Sequence, residues 1–426
     1  MHMVDDFQRY DDTKSSLLPW MVCFAATLFF FYEFIQGNMF ASIAANIMQD
    51  YHIQADKMAW LSSIYYVSNV LFLFVAGMVL DRFSIKNTLL IAMFLCVVST
   101  FLLAHSHSFY VALFSRFVTG IGSAFCFLGP VRLASHWFPP KRMALVTGAI
   151  VTMAMAGGML AQYPLTKLVT LVGWRQAVQD VGILGFAMLI IMFFLIKERP
   201  HVAVKKVGKA IDVFTAAKKA YLNTQYIRAA FYASLMNMAI AVFGAMMGTL
   251  YLEQRLEVGP EQAALVNGML FLGAIVGSPL VGWISDKMGL RILPMKLGVL
   301  MSLLILLATL YLPVSLNTMA VLFFLLGLFT SAQVISYALV AESSSPAMTA
   351  TAVSVISILT QGGYIVYQNL FSYLLTNQGE MHLVNGTPVY LLDAYQHAAI
   401  ILPLGLLIAF LMLLGLKETR CQQIED

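Results

Sequence analysis

Gly77-Met78-Val79-Leu80-Asp81-Arg82-Phe83-Ser84-Ile85-Lys86 joins two long apolar runs, and it returns 205 positions later as Gly282-Trp283-Ile284-Ser285-Asp286-Lys287-Met288-Gly289-Leu290-Arg291. Other landmarks keep that offset: Gly122 with Gly327, and Gly157-Gly158 with Gly362-Gly363. Lys197-Glu198 returns as Lys417-Glu418 at an offset of 220, because the last outer loop is longer. A register shared across six helices implies two six-helix halves. They are related by a pseudo-two-fold axis along a membrane normal, with a solute site expected near the midplane between them.

The composition requires a membrane. Of 426 residues, 60% are hydrophobic and 11% charged, against about 25% charged in a soluble domain. Apolar runs of at least about 18 residues recur along the chain, each long enough for a bilayer core of about 30 Å. The expected spans are 17–48, 59–80, 88–105, 109–138, 143–170 and 176–196, then 226–253, 261–285, 292–312, 318–343, 349–376 and 394–416. The fold class is an all-α membrane protein of twelve transmembrane helices in two pseudo-symmetric six-helix bundles. The expected domains are a tail over 1–16, a bundle over 17–197, a linker over 198–225, a second bundle over 226–416 and a tail over 417–426. The first apolar run is too long for a signal-peptide core, so it is expected to be a retained helix. Cys23, Cys96 and Cys126 lie in apolar runs and Cys421 in a tail, which argues against a disulfide framework. A net charge of +4 makes no case for nucleic acid.

Basic residues orient the chain. With the amino terminus inside, the inner loops and tails hold Arg9, Lys14, Arg82, Lys86, Lys141, Arg142, the linker lysines 205, 206, 209, 218 and 219, Lys287, Arg291, Lys417 and Arg420. The outer loops hold little beyond Lys57, Arg175 and Arg255. Both termini are therefore expected in the cytoplasm.

The two loop copies resemble the signature of the major facilitator superfamily, Gly-x-x-x-Asp-Arg/Lys-x-Gly-Arg/Lys-Arg/Lys. The first copy departs from it at Ser84, and the second, ending Gly289-Leu290-Arg291, fits better. Arg116-Phe117-Val118-Thr119-Gly120-Ile121-Gly122 resembles the family's motif on helix 4. The resemblance covers essentially the whole chain and implies a secondary transporter. It also implies a conformational latch built from Gly77, Asp81, Arg82, Gly282, Asp286, Lys287 and Arg291. Glycine lets helix ends approach closely, and an aspartate can face the positive end of a helix in the other bundle. The starts of helices 5, near Pro139-Pro140, and 11, near Pro346, are the expected partners of Asp286 and Asp81. The alternative is a solvated turn.

Glu33 is the one carboxylate in the middle third of any expected helix. It lies about 24 Å up from the inner face and Arg116 about 20 Å up. A charge at that depth is costly unless paired or hydrated. Glu33 is therefore expected to face the cavity, with Arg116 as its neighbour. Two readings stand at this point: a proton carrier tuned by Arg116, because burial favours the acid and the arginine favours the carboxylate, or a permanent structural ion pair.

Further polar residues gather where the repeat places a cavity: Tyr32, Gln36, Tyr65, Asn69, Gln162, Asn237, Asn267, Gln333, Gln361, Tyr364, Tyr367 and Gln368. Tyr364, Tyr367 and Gln368 share a helix face by spacing. An aromatic, amide-rich site with a single acid suits a small polar or zwitterionic solute. Helix 5 reads Met153-Ala154-Met155-Ala156-Gly157-Gly158-Met159, without the proline signature of drug–proton antiporters. Tyr65, Asn69, Arg116 and Trp137-Phe138 sit in stretches similar to the branch of lysosomal dipeptide carriers and their bacterial relatives, which implies amino acids or short peptides.

The leading expectation is a proton-coupled importer in a bacterial cytoplasmic membrane, monomeric, with a small-molecule substrate, protons and lipid as partners. No cofactor, metal or enzymatic activity is expected, since no nucleotide loop, triad or ligand cluster stands in the exposed segments. The rivals are a carrier of a larger amphiphile such as a siderophore or drug, and a non-transporting membrane sensor.

Overall fold

A backbone in hydrocarbon must satisfy its own hydrogen bonds, so apolar runs of this length have helix as their only open-ended solution. The computed structural model describes residues 17–139, 142–198, 220–344, 349–378, 381–384 and 387–422. The amino-terminal tail, most of the linker with its lysines, Pro140, Lys141 and Pro346 lie outside the described residues, as does the side chain of Asp81.

Twelve spans run antiparallel in sequence. Spans 1 to 6 are Leu18–Asn38 with Phe40–Asp50, Ala55–Arg82, Ile85–His105, Phe109–Ser123 with Leu128–Trp137, Met143–Leu160 with Tyr163–Val172, and Trp174–Leu195. Span 7 joins Thr224–Met236, a π-helical stretch Ile240–Met247, and Gly248–Leu256. Spans 8 and 9 are Pro260–Met288 and Ile292–Tyr311. Span 10 joins Leu316–Thr330, a 3₁₀ turn Ser331–Val334 and Ile335–Glu342. Span 11 is Thr349–Gln378, and span 12 joins Leu392–Ala399 and Ile401–Leu414.

Among the described residues eleven of these are long and apolar enough to cross a membrane. The twelfth, span 11, is as long but carries Thr351, Ser354, Ser357, Thr360, Gln361, Gln368 and Asn369, which dilute its apolarity. Local sequence sets the ends. Ser84, Asn223 and Ser315 accept from backbone N–H groups at the starts of spans 3, 7 and 10. Pro19, Pro164 and Pro260 occupy first turns, where a missing N–H costs nothing. Gly289 closes span 8 in the left-handed conformation.

The start of span 1, the end of span 12, the 2–3 and 8–9 turns and the starts of spans 5 and 11 share one face, called here the terminal face; the opposite face is distal. Within each bundle small residues let backbones meet. A Cβ built on Gly120 would lie 2.2 Å from the Tyr65 carbonyl oxygen on span 2, and one on Gly327 would lie 2.0 Å from that of Leu270 on span 8. By packing role Gly327 thus answers Gly120. Gly122, its expected counterpart, packs instead on span 3, against Cys96 and the Ala92 carbonyl.

The bundles meet through spans 2 and 11, spans 5 and 8, and the second half of span 1 against the π stretch. Hydrogen bonds crossing between them lie in the distal half: Asn369 to Ser63 at 2.9 Å, Gln162 to the Gly244 carbonyl at 2.9 Å, and Thr170 to Glu261 at 3.0 Å. The distal face is sealed. A hairpin of Met381–Val384 and Thr387–Tyr390 departs from the all-helical expectation and fills the longer last loop. From it, the buried Tyr390 hydroxyl accepts from the Ala55 N–H at the start of span 2, strapping the carboxy-terminal bundle onto the amino-terminal one.

Gly327→Val forces at least a methyl group into the Leu270 backbone. Overpacking of this kind costs about 1–3 kcal/mol, so a lowered unfolding midpoint in detergent is expected. An unchanged midpoint would show that spans 8 and 10 do not need this close approach.

Candidate functional site

Three layers of polar side chains cross the protein. The first lies inside the amino-terminal bundle. Glu33 is buried, and its Oε2 accepts from the Tyr65 hydroxyl at 3.1 Å. The Cys96 thiol lies against the same carboxyl. Arg116, also fully buried, donates to Gln36 Oε1 at 3.4 Å. Its guanidinium is sandwiched between the rings of Phe40 and Tyr65, 4.7 Å from each centroid, a cation–π arrangement that partly replaces lost hydration. Gln36 donates to Thr100 at 2.8 Å, and Tyr32 shares a 2.8 Å hydrogen bond with the same hydroxyl.

Two expectations need correcting here. Glu33 does not face the space between the bundles; its neighbours on spans 2, 3 and 4 place it inside one bundle. Nor do Glu33 and Arg116 form a direct ion pair: the Tyr65 hydroxyl serves the carboxyl group, and the guanidinium lies over the face of the Tyr65 ring. Glu33 Oε1 and Arg116 Nε and Nη2 have no hydrogen-bond partner. Sequence reasoning missed Cys96 and Thr100, which are ordinary small residues in an apolar run and carry no signal of their own.

The second layer is the contact between bundles. Tyr66 donates to the Gly37 carbonyl at 3.1 Å, and its ring lies 4.6 Å from that of Tyr364 on span 11. Gln361 is half-buried one turn toward the terminal face. Gln162 is fully buried toward the distal face, where it donates to the Gly244 carbonyl and accepts from Asn267 at 2.7 Å. The remaining predicted residues pair within a bundle. Asn69 donates to Ser123 at 2.7 Å, Tyr367 shares a 2.8 Å bond with Ser234, and Gln368 donates to the Ala241 carbonyl at 3.0 Å. Asn237 and Gln333 exchange reciprocal amide hydrogen bonds.

The third layer is at the terminal face. A Cβ on Gly77 or Gly282 would meet nothing within 4 Å, so neither latch glycine is pressed against a neighbour. Asp286 is 67% exposed and bonds Arg291 of its own bundle at 2.6 Å. Arg291 also grips Glu342 at 2.5 Å, and Thr419 donates to that carboxylate. Arg82 is exposed, and Lys287 lies 4.9 Å above the Trp283 ring. The charged dipeptides that end the two halves do the same job. Glu198 accepts from the Lys86 N–H at 2.8 Å, and Glu418 from the Arg291 and Ile292 N–H groups at 2.8 Å each. Each carboxylate thus sits at the positive start of span 3 or span 9.

A profile of the Major Facilitator Superfamily matches residues 22–247 and 229–421. The chain belongs to that superfamily and is a multi-pass membrane protein related to transporters. It is 23% identical over 333 residues to a hexuronate transporter of Bacillus subtilis (strain 168), covering 75% of this chain and 73% of the relative. It is 24% identical over 294 residues to the lysosomal dipeptide transporter MFSD1 of Danio rerio, covering 62% of this chain and 61% of that one. A bacterial homologue of the human lysosomal transporter Spinster, solved inward-facing and occupied, has the same fold. The TM-score is 0.76 at 16% identity, over 94% of this chain and 97% of that one.

Burial alone would push the Glu418 carboxyl up. The N–H donors of Ile292, Arg291, Arg420 and Thr419 outweigh it and hold the group below the usual carboxylate range. A carboxyl depressed on folding stabilises the protein above its ordinary titration range and loses that stabilisation as pH falls through its folded value. Wild-type protein should therefore lose melting temperature on acidification more steeply than Glu418→Gln. Parallel melting curves as pH is lowered from neutral through and below the ordinary carboxylate range would remove Glu418 from this role.

Proposed function

We propose that this chain is a proton-coupled importer of a small polar or zwitterionic solute: an amino acid, a short peptide or a similar metabolite. It works as a monomer in a bacterial cytoplasmic membrane, with the terminal face toward the cytoplasm. The bundles over 17–197 and 226–416, joined by the linker over 198–225, rock against each other along spans 2 and 11 and spans 5 and 8.

The observation that carries the coupling is the pair of under-bonded ionisable groups that share Tyr65. A neutral, protonated Glu33 is served by the Tyr65 hydroxyl while Arg116 rests on aromatic faces. An ionised Glu33 calls for the guanidinium, and a swing of the Tyr65 ring would let the two meet. Leaving either charge unpaired in a dry interior is costly, so proton loss drives that exchange. Tyr65 and Tyr66 are adjacent on span 2, and the Tyr66 ring lies tilted against that of Tyr364 in the other bundle. The exchange therefore acts directly on the contact where the bundles meet.

The solute class rests on what stands at that contact. Tyr66 and Tyr364 offer aromatic faces, and the half-buried Gln361 offers an amide beside them. Such a site can hold a charge-balanced solute by hydrogen bonds and ring contacts. The named relatives carry a hexuronate and dipeptides, both small and polar.

The experiment has two stages. A thermal-shift panel of amino acids, dipeptides, sugar acids and siderophores identifies the solute, since native-state ligands raise the melting temperature by mass action. Counterflow and pH-gradient-driven accumulation are then compared in proteoliposomes. Glu33→Gln is expected to keep counterflow and lose gradient-driven accumulation at least about tenfold. Accumulation at the wild-type level would sink the coupling, and a panel answered by siderophores alone would sink the solute class.

A further inference from the structure

The π-helical stretch of span 7 is the least regular backbone in the membrane core, and it is buried along all eight residues, Ile240–Met247. π geometry occurs mostly as short insertions and often at functional places. Its wide turn carries one residue more than an α-turn and splays carbonyl groups away from the helix. The Phe243 carbonyl keeps the Gly248 N–H as its i→i+5 partner, and the splayed carbonyls remain open to further donors. Three side-chain amides from three other spans supply them. Gln368 on span 11 donates to Ala241, Asn267 on span 8 to Phe243 at 3.0 Å, and Gln162 on span 5 to Gly244 at 2.9 Å.

Two of those amides belong to the same bundle as span 7. Gln162 comes from the other one. Its position is fixed by a second backbone break: it separates Met143–Leu160 from Tyr163–Val172, with φ −92° and ψ −114°. Ser42 on span 1 clamps that break by donating to the Ala161 carbonyl at 2.6 Å and that of Gln162 at 3.2 Å. Gln162 is thus held rigidly by its own bundle and reaches into the π turn of the other. Asn267 donates both to Gln162 Oε1 and to Phe243, so the two amides and the two carbonyls form one closed set. Sterics favour the same geometry. A Cβ on Gly248 would fall 2.3 Å from the Phe243 carbonyl and 2.5 Å from Asn267 Oδ1.

We propose that this π stretch is the gate element that seals the distal face, and that Gln162 is the bolt that locks it from the opposite bundle. When the distal face opens, span 5 withdraws and Gly244 loses its donor. Reversion to α-register gives the carbonyl an intrahelical partner again. It also turns Gly248–Leu256 by one residue, about 100°. Closure of the face and the register of span 7 then change together. The inference depends on the two faces opening in turn, and is independent of the solute and of protons.

Spin labels at Thr170 and Glu261, neighbours across the bundles at the distal rim, report the gate by pulsed electron resonance on the full chain in nanodiscs. Gln162→Glu keeps the acceptor for Asn267 but cannot donate to Gly244. It is expected to raise the long-distance, distal-open population at least about threefold. Gln368→Leu lies away from the rim and removes only the amide on Ala241, so the π register predicts the same shift from it; Gly248→Ala should follow. Wild-type distances in Gln162→Glu would overturn the bolt. A shift in Gln162→Glu with wild-type distances in Gln368→Leu would overturn the π register as part of the gate. Retention of monodisperse, full-length protein is the check on folding in each case.

Discussion

In hydrocarbon no backbone carbonyl can be left to solvent, and every irregularity in this fold is arranged around that fact. The regular parts of the spans satisfy it by themselves. The irregular parts occur at Met39 in span 1, over 124–127 in span 4, at Ala161–Gln162 in span 5, at Asn237 and over the π stretch of span 7, over Ser331–Val334 in span 10 and at Ile400 in span 12. In spans 5 and 7 the carbonyls at the breaks are taken by hydroxyls and amides from other spans. A helix that needs a neighbour's side chain to complete its backbone is a helix whose shape depends on where that neighbour stands. Such a dependence converts a rigid-body motion of bundles into a local change of structure.

The same scarcity of partners governs the charges. Burying an unpaired ion costs several kcal/mol even after relaxation, and the amino-terminal bundle buries two ionisable groups, Glu33 and Arg116, without pairing them directly. It does so with rings: Phe40 and Tyr65 face the guanidinium, and the Tyr65 hydroxyl serves the carboxyl. The carboxy-terminal half does not repeat the arrangement. At the offset of 205, Glu33 falls on Met238 and Arg116 on Val321. Spans 7 and 10 there hold a neutral amide pair, Asn237 with Gln333. The pseudo-symmetry therefore extends to scaffold and latches, while the ionisable cluster belongs to one half and the π stretch to the other.

What the sequence discloses follows from the same physics. The spans, the six-plus-six repeat and the loop motif are legible because apolar length and recurring small or charged residues act independently of side-chain rotation about each helix. Glu33 and Arg116 stand out because charges at that depth are rare, and their depths come out alike for the same reason. Their sharing of Tyr65 in place of a direct pair is not legible, since depth fixes level but not azimuth. Gln162 and Asn267 look in the sequence like any cavity amides. Their donation to Gly244 and Phe243 becomes visible only when the π turn presents those carbonyls. The hairpin that carries Tyr390 leaves only a loop-length difference, 220 against 205, as its trace.

The two faces are lined by different chemistry, and the difference has a cause. At the terminal face water reaches Asp286, which is mostly exposed and can exchange Arg291 for another partner or for hydration at small net cost, while the buried Arg291 keeps Glu342. Charged latches suit such a place, because a partner lost is replaced by solvent. The distal contact around Gln162 is fully buried, and an ion left behind there on opening would have no solvent to receive it. Neutral amides avoid that penalty, and the carbonyl they release can return to its own helix. A charged residue in place of Gln162 would make the closed state harder to leave or harder to form, according to its partner. A glutamine bonded to a π-helical carbonyl keeps both states within reach.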